Sequence, residues 1–117
     1  MRIEFIAQAG VKIHTAHGSI LCDPWFNPAY YAGWFPYPRN DKLNHVALGS
    51  TDYLYISHLH RDHFDPAWLA AYCNKDAVVI LPAYPLPELR EALQGLGFHR
   101  FIETESGVPV EHGGLRF

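Results

Sequence analysis

Residues 52–72, DYLYISHLHRDHFDPAWLAAY, carry the reading on which the rest depends. Asp52-Tyr53-Leu54-Tyr55-Ile56-Ser57 is short and rich in β-forming types, which predicts a strand. Asp65 then suits an N-cap and Pro66 the first helical position, so a helix is predicted to run from there to Tyr72. Between strand and helix lies His58-Leu59-His60-Arg61-Asp62-His63, the pattern H-x-H-x-D-H. Neutral imidazoles and carboxylates are the ligands that divalent zinc, iron and manganese accept. A strand end is rigid, and the loop beyond it can turn several side chains toward one point. His58 and His60 are predicted to hold one metal, and Asp62 and His63 a second. The bland alternative is a polar turn of solvated histidines. With eight His in 117 residues, shuffling produces this pattern in only about 0.2% of chains.

Working outward, Ile3–Ile6, Val11–His14 and Ser19–Cys22 read as short strands, with Ala16-His17-Gly18 as a turn, giving an antiparallel meander. Residues 24–40 hold seven aromatics and four prolines in 17 positions. Such prolines bar a helix interior or a central strand, so a long irregular segment is expected. Ala77–Leu81 reads as a buried strand. Leu86, Leu89, Leu93 and Leu96 fall on one helical face, with Pro87 near the start and Gly97 as terminator. Arg100–Glu103 reads as another strand, and Val108–Val110 and Leu115–Phe117 flank a Gly113-Gly114 turn. A meander followed by alternating strands and helices predicts a mixed α/β sheet with two helices on one face. The other face is expected to carry apolar side chains that further chain would cover.

Composition narrows the function. The chain is 49% hydrophobic and 18% charged with a net charge of -3. That suits one small domain with a real core and argues against disorder. No basic stripe suggests nucleic acid, and no apolar run approaches a membrane span. The start lacks a signal-peptide pattern, and two cysteines make no disulfide framework, so a cytoplasmic location is expected. Cys22 and Cys73 read as buried apolar fillers.

The H-x-H-x-D-H loop, together with Leu21-Cys22-Asp23-Pro24-Trp25 upstream, resembles the N-terminal half of a metallo-β-lactamase-fold protein. Asp-Pro-Trp, an aromatic segment and Tyr55-Ile56-Ser57-His58 look like the branch of the CMP-N-acetylneuraminate hydroxylase metal domain and its bacterial relatives. More distantly they resemble the lactonase-like and N-acylphosphatidylethanolamine phospholipase D-like branches. The resemblance implies that residues 1–117 form the first part of one αββα domain about twice this length. A third His, a bridging Asp and a last His ligand would then lie beyond Phe117. It also implies that Asp23 accepts a hydrogen bond behind the metal ligands and orients the loop.

The activity implied is that of a metal-dependent hydrolase with up to two metals, zinc first, iron or manganese as alternatives. Metal-activated hydroxide would attack an ester, lactone, amide or phosphodiester of a small-molecule substrate. Asp62 is the candidate catalytic residue, as ligand or proton shuttle. An iron-dependent, hydroxylase-like redox enzyme with a separate electron donor is the competing reading. The hydroxylase carries a Rieske domain, whose paired Cys-His ligands this sequence lacks, so its oxygenase activity is not carried over. A third reading is a truncated, non-catalytic metal-binding chain that self-associates through exposed apolar surface. Trp34, Tyr37 and Arg39 are candidates for a substrate pocket, and packing is the alternative for such aromatics. His99 and His112 are considered as further ligands but read as exposed polar residues, with His14, His17 and His45.

Overall fold

The computed structural model describes residues 1–27, 36, 40–83 and 87–117. Three strands, β1 (Arg2–Ala7), β2 (Gly10–Thr15) and β3 (Gly18–Cys22), form the antiparallel meander expected from their alternation. Three more, β4 (Tyr53–Tyr55), β5 (Val78–Pro82) and β6 (Arg100–Thr104), add in parallel, in the spatial order β1-β2-β3-β4-β5-β6. Each parallel step needs a crossover. The β4–β5 crossover carries helix α2 (Pro66–Tyr72) and the β5–β6 crossover carries α3 (Glu88–Gly95). The predicted caps are in place: Asp65 accepts from the Trp68 amide, and Gly97 takes a φ of +107° just past α3.

Two helices were expected, and a third is present. α1 (His45–Gly49) lies in the β3–β4 crossover and has only five residues, too few to show a helical period. Its support is non-local. Asn44 caps its start by accepting from Ala47 N. At its end, the buried Lys12 ammonium of β2 donates to the carbonyls of Ala47, Leu48 and Ser50 at 2.8, 3.2 and 3.1 Å. A cation there complements the helix dipole and satisfies orphan carbonyls. Burial lowers the Lys12 pKa, opposed by Glu4 and Asp52. Gly49 presses on the Tyr72 backbone; a Cβ there would lie 2.0 Å from the Tyr72 carbonyl oxygen.

All three helices pack on one sheet face. Leu48, Trp68, Leu69, Leu89 and Leu93 share a core with Leu21, Leu54, Ile56, Val79 and Leu81. The period-2 alternation of strands sends their neighbours to the opposite face. There the paired rows Ile3–Ile13–Ile20–Tyr53–Val78–Arg100 and Phe5–Val11–Cys22–Tyr55–Ile80–Ile102 are apolar except for Arg100 on β6. This is the second apolar face expected from the sequence. A small hairpin, β7 (Glu111–His112) and β8 (Leu115–Arg116), turns at Gly113-Gly114, where both glycines have positive φ. It places Leu115 and Phe117 over Tyr53 and Val78. Beside it runs an apolar groove of about 660 Å³ over Ile20, Cys22, Tyr55 and Ile80. Toward β1 the same face is open, with Ile3 and Phe5 59% and 57% exposed.

Candidate metal centre

β3 and β4 are parallel neighbours, with Cys22 paired to Tyr55. Their C-terminal ends therefore lie side by side, which brings Asp23 next to Ser57 across 34 residues of sequence. Ligand sites in such sheets form where parallel strands end. Asp23 is buried and held in a left-handed conformation, φ +41°, with its amide donating to the Tyr55 carbonyl at 2.9 Å. Asp tolerates that region better than most residues.

From this position the Asp23 carboxylate binds the start and the end of the histidine loop. Its Oδ1 accepts from Ser57 N at 2.8 Å. Its Oδ2 accepts from Ser57 Oγ at 2.7 Å and from His63 Nδ1 at 2.9 Å. Ser57 Oγ lies 2.8 Å from His58 Nδ1. The loop itself is a tight turn in which His63 N and Phe64 N both donate to the His60 carbonyl. Its exit is fixed by Asp65, which accepts from Phe26 N, Asn27 N and the Asn27 side-chain amide as well as from Trp68 N. Residues 23–27 are thus tied to the loop at two points, Asp23 and Asp65.

These anchors gather the three imidazoles. The ring centres of His58 and His63 are 4.2 Å apart, and those of His58 and His60 4.7 Å. The largely buried Asp62 carboxylate lies 3.4 Å from His63 Nε2 through its Oδ2. Burial, then the His63 and His60 rings, lowers the His58 pKa and favours the neutral imidazole that a metal needs. Among the described residues no group of three or more His, Cys, Asp or Glu closes on one point that could hold a metal ion. The sequence reading expects His58, His60, His63 and the Asp62 carboxylate to converge on one concave spot; the three rings lie side by side, but the four do not form such a group. The donor types fit an iron or zinc site, and the hydrogen bonds behind His58 and His63 fit ligands that must be oriented.

The other candidates lie elsewhere. His99 Nε2 pairs with Asp76 Oδ1 at 2.9 Å on the surface, and His112 Nδ1 meets the Tyr53 hydroxyl on the opposite sheet face. His45 bridges the Trp68 indole and the Asp41 carbonyl, and His14 pairs with Glu4. Cys22 lines the groove on the far face, and burial raises its thiol pKa to about 11; that of the buried Cys73 goes to about 12. Trp25 packs, only 2% exposed. Trp34, Tyr37 and Arg39, the pocket candidates, lie outside the described residues. Ser57 is the residue that sequence reasoning missed. Its signal was its place directly between the strand and the first histidine.

No family model matches the chain. It is 58% identical over 108 residues to a Mycolicibacterium smegmatis protein, and 59% identical over 108 residues to a Mycobacterium tuberculosis one. Both are provisionally named Rieske 2Fe-2S iron-sulfur proteins. Those matches cover 92% of the chain, which spans only 21% of the length of either relative. Among solved structures, a possible metal-dependent hydrolase from Veillonella parvula superposes with a TM-score of 0.70 at 18% identity, covering 97% of this chain and 45% of that one. An isothiocyanate hydrolase from Delia radicum gut bacteria gives 0.68 at 18%, covering 96% and 44%. CmlA, a diiron beta-hydroxylase from Streptomyces venezuelae, gives 0.68 at 21%, covering 97% and 22%. No helix among the described residues is long and apolar enough to cross a membrane. The six-stranded mixed sheet and these neighbours establish the fold as the α/β metallo-β-lactamase fold, and the chain is consistent with an N-terminal part of it.

Proposed function

We propose that this chain carries half of the metal centre of a non-haem iron enzyme that works by redox chemistry, with His58 and His60 holding one metal and Asp62 and His63 the other. The observation that carries the redox reading is the 58–59% identity to relatives named for a Rieske cluster. The hydrolase-named neighbours share only 18% and speak for the fold alone. A Rieske cluster transfers electrons, and electrons are of use only at a metal that changes oxidation state, which zinc does not. This favours the redox reading over the hydrolytic one. Iron held by His58, His60, Asp62 and His63 would supply oxidation of a small-molecule substrate by dioxygen, with electrons from a separate donor.

The chain's own residues prepare that chemistry. Asp23 holds the His63 Nδ1 proton, so that Nε2 presents a lone pair beside the Asp62 carboxylate. Asp62 is the loop's carboxylate, placed to act as donor or to move a proton. The turn closed on the His60 carbonyl and the Asp65 clamp keep the donors from swinging apart.

Anaerobic titration with ferrous iron, followed by Mössbauer spectroscopy before and after oxygen, tests this. Bound ferrous iron that oxygen converts to the ferric state, and that His58→Ala or His63→Ala loses, is the expected result. A zinc-loaded chain that cleaves an ester or lactone without reductant, while ferrous iron binds nowhere near His58, would overturn it in favour of hydrolysis.

A further inference from the structure

We infer that Ser57 is a positioning residue: it relays the Asp23 carboxylate to His58, so that one buried carboxylate sets the ring tautomer of a ligand in each metal half-site. The inference rests on the proposed ligand roles of His58 and His63, but the relay itself is a property of the protein alone.

The argument is one of proton counting. A serine hydroxyl carries one proton. Ser57 Oγ is 2.7 Å from Asp23 Oδ2, and two oxygens at that distance need a proton between them. The carboxylate has none to give, so the Ser57 proton points at Asp23. The Ser57 oxygen can then only accept; His58 Nδ1 lies 2.8 Å from it, and His63 Nδ1, already bonded to Asp23, lies farther at 3.4 Å. His58 must therefore carry its proton on Nδ1, which leaves Nε2 as the lone-pair nitrogen. His63 Nδ1 donates directly to the same Asp23 Oδ2 at 2.9 Å, so it too carries a proton on Nδ1, while its Nε2 faces Asp62 Oδ2 at 3.4 Å. The Ser57 amide donates to Asp23 Oδ1 at 2.8 Å and fixes the carboxylate plane against the strand end.

The parallel pairing of β3 and β4 makes this geometry available. Cys22 opposite Tyr55 sets Asp23 one step beyond the ladder and Ser57 two steps beyond it. The Asp23 backbone, bonded to the Tyr55 carbonyl, cannot follow the loop if the loop moves. Asp23 therefore reaches His63 directly and His58 through one hydroxyl. The two half-sites are coupled through a group that binds neither metal.

The experiment reads tautomers in the metal-free 117-residue chain by two-bond 1H–15N correlation of the imidazoles, assigned with His58→Gln and His63→Gln. In the wild type, both His58 and His63 are expected as the Nδ1–H form. Ser57→Ala should move His58 toward the Nε2–H form and leave His63 unchanged. Asp23→Asn should shift both, and Ser57→Thr, which keeps the hydroxyl, should restore the wild-type pattern. A wild-type His58 protonated on Nε2, or a His58 signal indifferent to Ser57→Ala, would overturn the inference. The wild-type spectrum decides even if Ser57→Ala fails to fold. Ferrous iron titration then tests the ligand roles separately, with Ser57→Ala expected to weaken binding by about 10- to 100-fold. If the tautomers behave as stated and no iron binds near His58, the metal reading fails and the relay stands.

Discussion

The histidines at 58, 60 and 63 and those at 14, 45, 99 and 112 are held in opposite ways. Each of the second group meets a partner that is not an imidazole: Glu4, the Trp68 indole, Asp76 and the Tyr53 hydroxyl respectively. Such rings fasten one element to another. His58 and His63 instead have Nδ1 backed by Ser57 and Asp23, and their rings face another imidazole at 4.2 Å. Burial, then the His63 and His60 rings, lowers the His58 pKa and favours its neutral ring. A ring whose Nδ1 proton is already used has one nitrogen left to offer, Nε2. A lone His becomes a fastener, and a backed cluster becomes a donor set.

The sharpest way to break the comparison is to exchange the groups' fates. Replacing His58 or His63 by Ala should lower affinity for a divalent metal by at least about 100-fold, more than loss of a hydrogen bond behind a ligand costs. His99→Ala and His112→Ala should leave it unchanged. Competition against a chromogenic chelator measures this, and equal losses in all four variants would erase the distinction. The next effect is on stability. Asp65→Ala removes a buried acceptor from the amides of Phe26, Asn27 and Trp68 and uncaps α2. Hydrogen bonds to a charged group are worth about 1.5–3 kcal/mol each and are not additive. A loss near 3 kcal/mol in urea unfolding is expected, with weaker metal binding because the loop's exit is released.

The candidate donor set was legible because its members lie within six residues; Asp23 behind it came from the resemblance, and Ser57 came from neither. Ser57 gains its role only when β3 and β4 pair in parallel, a contact that no local pattern announces. The same holds for α1. Its five residues have no period, and the Lys12 ammonium that closes it sits 35 residues upstream, where it read as the polar position of a strand. Strands β1–β6, α2 and most of α3 followed from alternation, caps and leucine spacing, because those signals are local. The Leu86 position of that leucine pattern lies outside the described residues, as does most of the aromatic segment.

A smaller effect separates a buried fastener from a surface one. His45 Nδ1 accepts from the Trp68 indole at 2.8 Å, while its Nε2 donates to the Asp41 carbonyl at 2.9 Å. His45→Ala leaves the indole N–H of a Trp only 3% exposed without that acceptor. An unmade bond of this kind costs about 1–3 kcal/mol. Chemical denaturation should show a loss in that range, together with a changed Trp emission, and unaltered metal affinity. A drop in metal affinity comparable to that of His63→Ala would mean that the helix face and the loop are not separable.

The smallest effect belongs to His14. Its ring lies 2.6 Å from Glu4, whose side chain is 42% exposed. The hydrogen bond from His14 lowers the Glu4 pKa, against a smaller opposing effect of burial, with Arg2 adding to the lowering. A carboxylate with a depressed folded-state pKa contributes stability that is complete above its unfolded value and fades as pH falls through the folded one. Solvent screening limits an exposed pair to about 0.2–1 kcal/mol. Glu4→Gln should therefore cost no more than a few tenths of a kcal/mol at pH 7, and the difference from wild type should shrink as pH falls through the lowered Glu4 pKa, where the wild-type carboxylate is itself protonated. Urea midpoints at pH 7 and pH 3.5 check the sign. A Glu4→Gln penalty that grows on acidification would show that the pair is held by something other than the carboxylate's charge, and that His14 belongs to a larger network.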